Sequence, residues 1–261
     1  MYDLAALEAE LTGTIFAGKL RFSSVTGSTN SDALAAARDG APHGSVFFAD
    51  EQTAGRGRGD HRWQSVAGEG LYLSLVMRPT LSAPQLPLIP LAAGLAAAEA
   101  IRAVAGVAID LRWPNDLLIG PRKVGGILVE SKTEAAGLAF AVIGVGINVH
   151  QRAFDPELST PATSLDLATG HGVSRQALLV ALLKSLERET LLLSNPAAVS
   201  ATLARVEQAS TWLRGRSVEV HGPQECLGTT AGLDAHGFLL VQTARALVTV
   251  QTGGIRAAET E

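Results

Sequence analysis

Residues Gln52–Trp63 read QTAGRGRGDHRW. Arginines at 56 and 58 alternate with glycines at 55, 57 and 59. No helical or alternating apolar period runs through the stretch, so it is neither an ordinary helix nor an ordinary strand. Glycines let a backbone approach an anion and present successive N–H groups to it. Arginines add permanent charge and forked donors that suit phosphate. The loop matches neither common nucleotide fingerprint. No P-loop lysine follows its glycines, and Asp60 stands where G-x-G-x-x-G needs its last glycine. A solvated surface loop is the plain alternative.

The flanks are regular. SVFFAD before the loop reads as a short buried strand, and GLYLSLVMR after it as another. Upstream, DLAALEAEL has helical apolar spacing and KLRFSSV reads as a strand. GSTNSDALAAARDG reads as a turn into a helix, with Thr29 and Asp32 as a capping box and Gly40 as the stop. Downstream, an apolar helix is expected near 87–104. AIDLRW is a strand leading into PNDLLIGPRKVGGILVES, a hairpin turning at Gly120 and Pro121. LAFAVIGVGINV is an apolar strand ending at Asn148, and two helical stretches follow. From Gly215 short alternating runs are separated by Gly, Asp and His, as in a small antiparallel barrel. The expected division is 1–212 and 213–261.

Composition narrows the class. The chain has 261 residues, 47% apolar and 18% charged, which suits a soluble globular protein. Its net charge of −4 argues against a general nucleic-acid binder. Cys226 is its single cysteine, which excludes an intrachain disulfide and fits a reducing cytoplasm. The N-terminus lacks the basic start of a signal peptide, and the alanine-rich helix carries Glu99 and Arg102, so no membrane span is expected.

Two further clusters carry chemistry. Asp116 leaves a strand and Lys123 opens the returning one, so a hairpin brings them together. Gly125 and Gly126 then let something approach that strand's backbone. A surface ion pair with bulge glycines is the plain alternative. Asn148 at a strand end can meet a ligand, or merely cap the strand.

GSTN, QTAGRGRGDHRW, RWPND, KVGGILVE and GVGIN occur in the order and approximate spacing seen in biotin protein ligases. The chain resembles that family, in its short class without an N-terminal DNA-binding domain, from Thr26 to Asn148 in motif detail. The resemblance implies an α+β fold: a mixed, mostly antiparallel sheet with helices, followed by a small SH3-like β-barrel. It implies an ATP-dependent ligase that forms biotinyl-5′-AMP and passes biotin to a lysine of a biotin carboxyl carrier protein, of the acetyl-CoA carboxylase type. ATP and Mg²⁺ are the implied cofactors, no DNA binding is expected, and a homodimer is compatible.

Residue by residue, Lys123, Arg56, Arg58 and Asp116 match the catalytic positions. Ser28, Thr29, Asn30, Gln52, Gly57, Gly125 and Gly126, with Lys123, match the biotin site. Arg56, Arg58, Trp63, Asn115, Lys123 and Asn148 match the ATP site, with Trp63 stacking near adenine. Such a loop crowds cations when no anion is present, which predicts mobility without ligand over 53–66. The chain departs from the family where Gly59, Asp60 and His61 replace a further basic run, and at Glu51, where some relatives carry an aromatic. Asp60, His61 and Arg62 receive no individual role. Lipoate–protein ligase shares the adenylate chemistry but not the full motif set. Octanoyltransferases use a catalytic-domain cysteine, whereas Cys226 falls in the expected barrel. A nucleic-acid module or a binding scaffold leaves the ordered motifs without a purpose.

Overall fold

In the computed structural model, residues 2–59, 61–79, 81, 85–134 and 137–258 are described. Asp60, within the glycine–arginine loop, lies outside them. The chain begins with α1 (Leu4–Glu10), β1 (Leu20–Thr26), α2 (Thr29–Arg38), β2 (Ser45–Gln52) and β3 (Gly70–Met77). Then come α3 (Leu88–Ala105), β4 (Asp110–Arg112), β5 (Asp116–Ile119), β6 (Arg122–Glu134) and β7 (Gly137–Asn148). Helices α4 (Leu165–Thr169), α5 (Arg175–Leu193) and α6 (Pro196–Gln208) follow. Strands β8 (Arg214–His221), β9 (Cys226–Leu233), β10 (Leu239–Gln242), β11 (Leu247–Val250) and β12 (Gly254–Ala257) end the chain.

The first sheet runs β1-β2-β3-β7-β6-β5-β4. Only its β1–β2 pair is parallel; the other ladders are antiparallel. The sheet is therefore mixed and mostly antiparallel, as expected. The second is an antiparallel sheet of order β11-β10-β9-β8-β12, beginning at Arg214.

Side chains alternate across a strand, and that parity places the core. Leu71, Leu73, Leu75 and Met77 of β3 and Ile143, Val145 and Ile147 of β7 join the main core with α3 and α5. Helix α3 is long and apolar enough to cross a membrane, with mean hydropathy 1.6. It is instead the core helix, with Leu88, Ile89, Ala92, Ala96 and Ile101 buried. Gly106 ends it at φ +69°.

The opposite parity of the sheet faces α2. There Val76, Phe140 and Val142 pack on Ala33 and Ala37. Further along the same face, Ser74 of β3 pairs with Gly144 of β7, and Gly126 of β6 pairs with Gly146. Helix α2 covers one end of this face and leaves the glycine end open.

The α2 start differs from the expected capping box. Ser28 is the N-cap and makes no side-chain cap bond. The Thr29 hydroxyl is occupied by Gln52 Oε1 at 3.1 Å and Ser74 Oγ at 2.9 Å. Asp32 Oδ2 instead accepts from Thr26 Oγ1 at 2.6 Å. Tertiary partners have taken the groups a local cap would use.

Two tryptophans join the sheets. Trp113 Nε1 donates to the Gly237 carbonyl at 3.1 Å. The Trp212 ring meets the guanidinium groups of both Arg112 and Arg216, at 5.3 and 4.1 Å from its centroid. Helices α5 and α6 are tied by Glu189, which is fully buried and accepts Arg205 at 2.8 and 2.9 Å. Removing one partner of a buried pair strands the other charge. Arg205 is partly exposed and Arg188 Nε stays 3.5 Å from Glu189, so Arg205→Ala should cost about 2 kcal/mol, below the range for fully buried pairs. Thermal melting should show a fall of roughly 5 °C; an unchanged Tm would count against this clamp.

Candidate active site

The open end of the α2-side face is the floor of a cleft of about 1000 Å³. Its walls are the Ser28–Asn30 turn, the glycine–arginine loop, the 113–116 turn, the 151–162 segment and the edge of the second sheet. The motifs read from the sequence thus converge on one cavity, together with parts of the chain that no motif had marked.

The floor is made by missing side chains. A Cβ on Gly146 would lie 2.6 Å from Trp63 Nε1, and one on Gly144 would lie 2.6 Å from Asn30 Oδ1. Gly126 borders the cleft beside Lys123 and Trp63. Gly125 has the other parity and is not on the wall. A Cβ there would meet Gly146 O and Leu117 Cδ1 at 2.9 Å, so its small size serves sheet packing.

The turn supplies three nearly buried residues, Ser28, Thr29 and Asn30, each 4% exposed. Gln52 braces them. Its Oε1 accepts from Thr29 N at 2.9 Å, and its Nε2 donates to Ser65 Oγ at 2.7 Å. Ser28 Oγ, Asn30 Oδ1 and Trp63 Nε1 are buried and have no hydrogen-bond partner. Leaving such a group unmet costs about 1–3 kcal/mol. All three belong to residues on the cleft wall, where a polar ligand would satisfy them.

The loop folds back on itself. Gly57 N donates to His61 O at 2.8 Å and Trp63 N to Gly55 O at 2.9 Å. Gly55 is fixed by crowding, since a Cβ would come 2.3 Å from Trp63 O. The two arginines that alternate with the glycines are not left unmatched, because each has a protein acceptor. Arg56 Nη2 reaches Glu130 at 2.8 Å. Arg58 donates to the Gly253 carbonyl and to Thr252 Oγ1 on the second sheet. Burial pulls the Arg58 pKa down and Asp116 pushes it back up; a guanidinium stays charged at neutral pH regardless.

Asp116 and Lys123 meet across the β5–β6 hairpin, Oδ1 to Nζ, at 2.5 Å. Arg112 holds the other carboxylate oxygen, through Nη2 at 2.6 Å and Nε at 3.1 Å. Burial alone would raise the Asp116 pKa, but the Lys123 and Arg112 cations outweigh it and hold the carboxyl below its usual range. Asp116 is therefore ionised and, in this arrangement, a weak proton acceptor. Asn115 Nδ2 donates to Ile127 O at 2.6 Å, pinning the turn that contains the cis Trp113–Pro114 peptide. Asn148 donates from Nδ2 to Thr163 O at 3.0 Å. Its Oδ1 takes no protein donor among the described residues.

Permanent cations, orphan polar atoms and an open glycine floor suit a ligand with a compact polar head and a phosphate-bearing tail. Residues 23–148 match the Biotin/lipoate A/B protein ligase family. A Mycobacterium tuberculosis protein named biotin–acetyl-CoA-carboxylase ligase is 34% identical over 236 residues, covering 88% of this chain and 85% of that protein. This chain belongs to the biotin/lipoate protein ligase family. The bifunctional ligase/repressor BirA of Bacillus spizizenii is 39% identical over 171 residues, which are 65% of this chain and 53% of that protein. The chain thus spans about half the length of that relative. Among solved structures, a biotin protein ligase from Aquifex aeolicus in complex with biotin and ATP superposes with TM-score 0.79 at 27% identity, covering 92% and 98% of the two chains.

Within the family motifs, Glu130 was legible as a residue but read only as part of a strand. Nothing in RWPND alone gives Arg112 a role. Gly144 and Gly146 alternate in GVGIN, a signal that both face the same side. Thr252 and Gly253 carried no signal at all. Gly146→Ala should push Trp63 off the floor without unfolding the sheet. Tryptophan fluorescence should shift while the far-ultraviolet circular dichroism stays unchanged; an unaltered fluorescence spectrum would contradict the packing described.

Proposed function

We propose that this chain is an ATP-dependent ligase that activates biotin as biotinyl-5′-AMP and transfers the biotinyl group to a carrier-protein lysine. The carrier is a biotin carboxyl carrier protein of the acetyl-CoA carboxylase type. The observation that carries this reading is the cleft itself, whose lining residues bring orphan polar atoms of Ser28, Asn30 and Trp63 together with the cations Arg56, Arg58 and Lys123. The names of the relatives and of the Aquifex aeolicus complex support the choice of biotin and ATP.

In the first step a carboxylate oxygen of biotin attacks the α-phosphorus of ATP and pyrophosphate leaves. The carboxyl group, with pKa about 4, is already ionised, so no base is required. The step needs positive charge between two anions. Arg56, Arg58 and Lys123 supply it by exchanging their protein acceptors for phosphate and carboxylate oxygens. Ser28, Thr29, Asn30 and Gln52 take the ureido head, Gly57 and Gly126 admit the ligand backbone-close, and Gly125 keeps β6 tight behind it. Trp63 flanks the nucleotide, and Asn115 holds the turn beside it.

In the second step the carrier amine attacks the anhydride carbonyl, the carbonyl–oxygen bond to AMP breaks, and the amine loses a proton. A lysine with pKa about 10.4 arrives mostly protonated. Asp116 provides the anion that draws it in, and its low pKa makes orientation its first contribution. Asp116→Asn should slow transfer at least ~10-fold more than adenylate formation. Single-turnover measurement of each half-reaction checks this, and equal losses would defeat the division.

Magnesium would neutralise part of the triphosphate charge. The site fits an ion carried by the nucleotide better than a protein cage, since the described residues hold no group of three or more His, Cys, Asp or Glu side chains. Asn148 Oδ1 is a side-chain oxygen of the cleft available to it. Residues 1–212 form the ligase unit in this reading and 213–261 a smaller β unit. DNA binding forms no part of it, consistent with a net charge of −4, and a single cysteine suits the cytoplasm. Incubation with biotin, Mg-ATP and a carrier domain should add a biotin-sized mass to the carrier. No added mass on a competent carrier, or modification by lipoate in place of biotin, would overturn the proposal.

A further inference from the structure

Glu130 receives donors from two parts of the site. Arg56 Nη2 donates to Oε1 at 2.8 Å, and Asn30 Nδ2 donates to Oε2 at 2.5 Å. The steps derived above make no use of this carboxylate. It reaches both donors because it stands on the cleft face of β6, opposite Val142 and one alternation beyond the Leu128–Gly144 pair.

An ionised carboxylate only accepts hydrogen bonds. It therefore decides which end of the Asn30 amide it receives. The two ends of an amide are nearly the same size, and only their partners fix which way the group faces. With the NH₂ on Glu130, Oδ1 must face away from it. That oxygen is buried, has no partner, and lies over Gly144, where even a Cβ would come within 2.6 Å. Arg56 faces the carboxylate's other oxygen and compensates its charge. The outcome is a buried acceptor with nothing to accept, in a residue that is 4% exposed.

We propose that Glu130 is a specificity-determining positioning residue, locking Asn30 Oδ1 as the acceptor for an N–H donor on the head group of the ligand. The inference rests on the biotin reading above and extends it. A cyclic urea supplies ring N–H donors; a head group with only acceptors at that point is rejected. A donor side chain at 130 reverses the amide and turns the same pocket against N–H groups.

Biotin titration by calorimetry, on wild type, Glu130→Gln, Asn30→Ala and the double variant, tests it. Glu130→Gln keeps the shape but lets the amide face either way, so affinity should fall at least ~10-fold. In the Asn30→Ala background the same substitution should have no further effect, because there is no amide left to orient. A merely structural Glu130 would weaken both backgrounds equally, and that result, or an unchanged affinity of Glu130→Gln, overturns the inference while leaving biotin binding intact. If circular dichroism finds Glu130→Gln unfolded, Glu130→Met takes its place with the same expected pattern. A wild type that does not bind biotin overturns the reading of the pocket and this inference with it.

Discussion

Gly126 stands opposite Gly146 across the β6–β7 ladder, and the cleft depends on that register. With it fixed, alternation puts Glu130, Gly144 and Asn148 on the cleft face and Ile127, Val145 and Ile147 in the core. A slip of one residue would send the glycines into the core and the aliphatic side chains into the cleft. The register is held from both sides. Isoleucine and valine side chains under α3 resist exposure, and the glycines leave room for Trp63 and Asn30 above. Packing that stabilises the fold therefore also shapes the site.

Charge is the second organising force. Arg56, Arg58, Arg112 and Lys123 gather around one cavity, and each has a protein acceptor. None of these acceptors resembles a triphosphate in charge, so an incoming polyanion can outcompete them. Asp116 illustrates the balance. Two cations keep it ionised in a buried place, and one of them, Lys123, is also assigned to the first half of the proposed reaction. Arg112 stays behind with the carboxylate, seated on Trp212 and bonded to Thr160 Oγ1 at 2.9 Å.

Much of this was written locally in the sequence. The hairpin at Gly120 and Pro121 and the Asp116–Lys123 meeting follow from strand periodicity and turn chemistry alone. The apolar helix near 87–104 and the mixed sheet were equally legible. What was hidden depends on contacts between distant segments. The Thr29 hydroxyl could have capped its own helix, and only Gln52 and Ser74 decide otherwise. Glu130 lay in plain view, but two donors from elsewhere in the chain give it meaning. Gly125 and Gly126 look alike in sequence, and strand parity alone sends one to the cleft and the other to the packed side. Arg58 reaches the Thr252–Gly253 turn across almost two hundred residues, a distance no pattern spans.

That last contact makes the resting shape of the glycine–arginine loop a property of the whole chain. Its backbone bonds close a small arch, but the arginine at its tip is moored to the second sheet. A fragment cut near residue 213 would keep nearly all the residues assigned to chemistry and lose the mooring. Its loop would lack a berth for Arg58, and a weakened fragment would reveal the missing berth rather than any missing reactive group. In the proposed reaction the small β unit would act as a jetty does on a boat, by determining where the arginine waits.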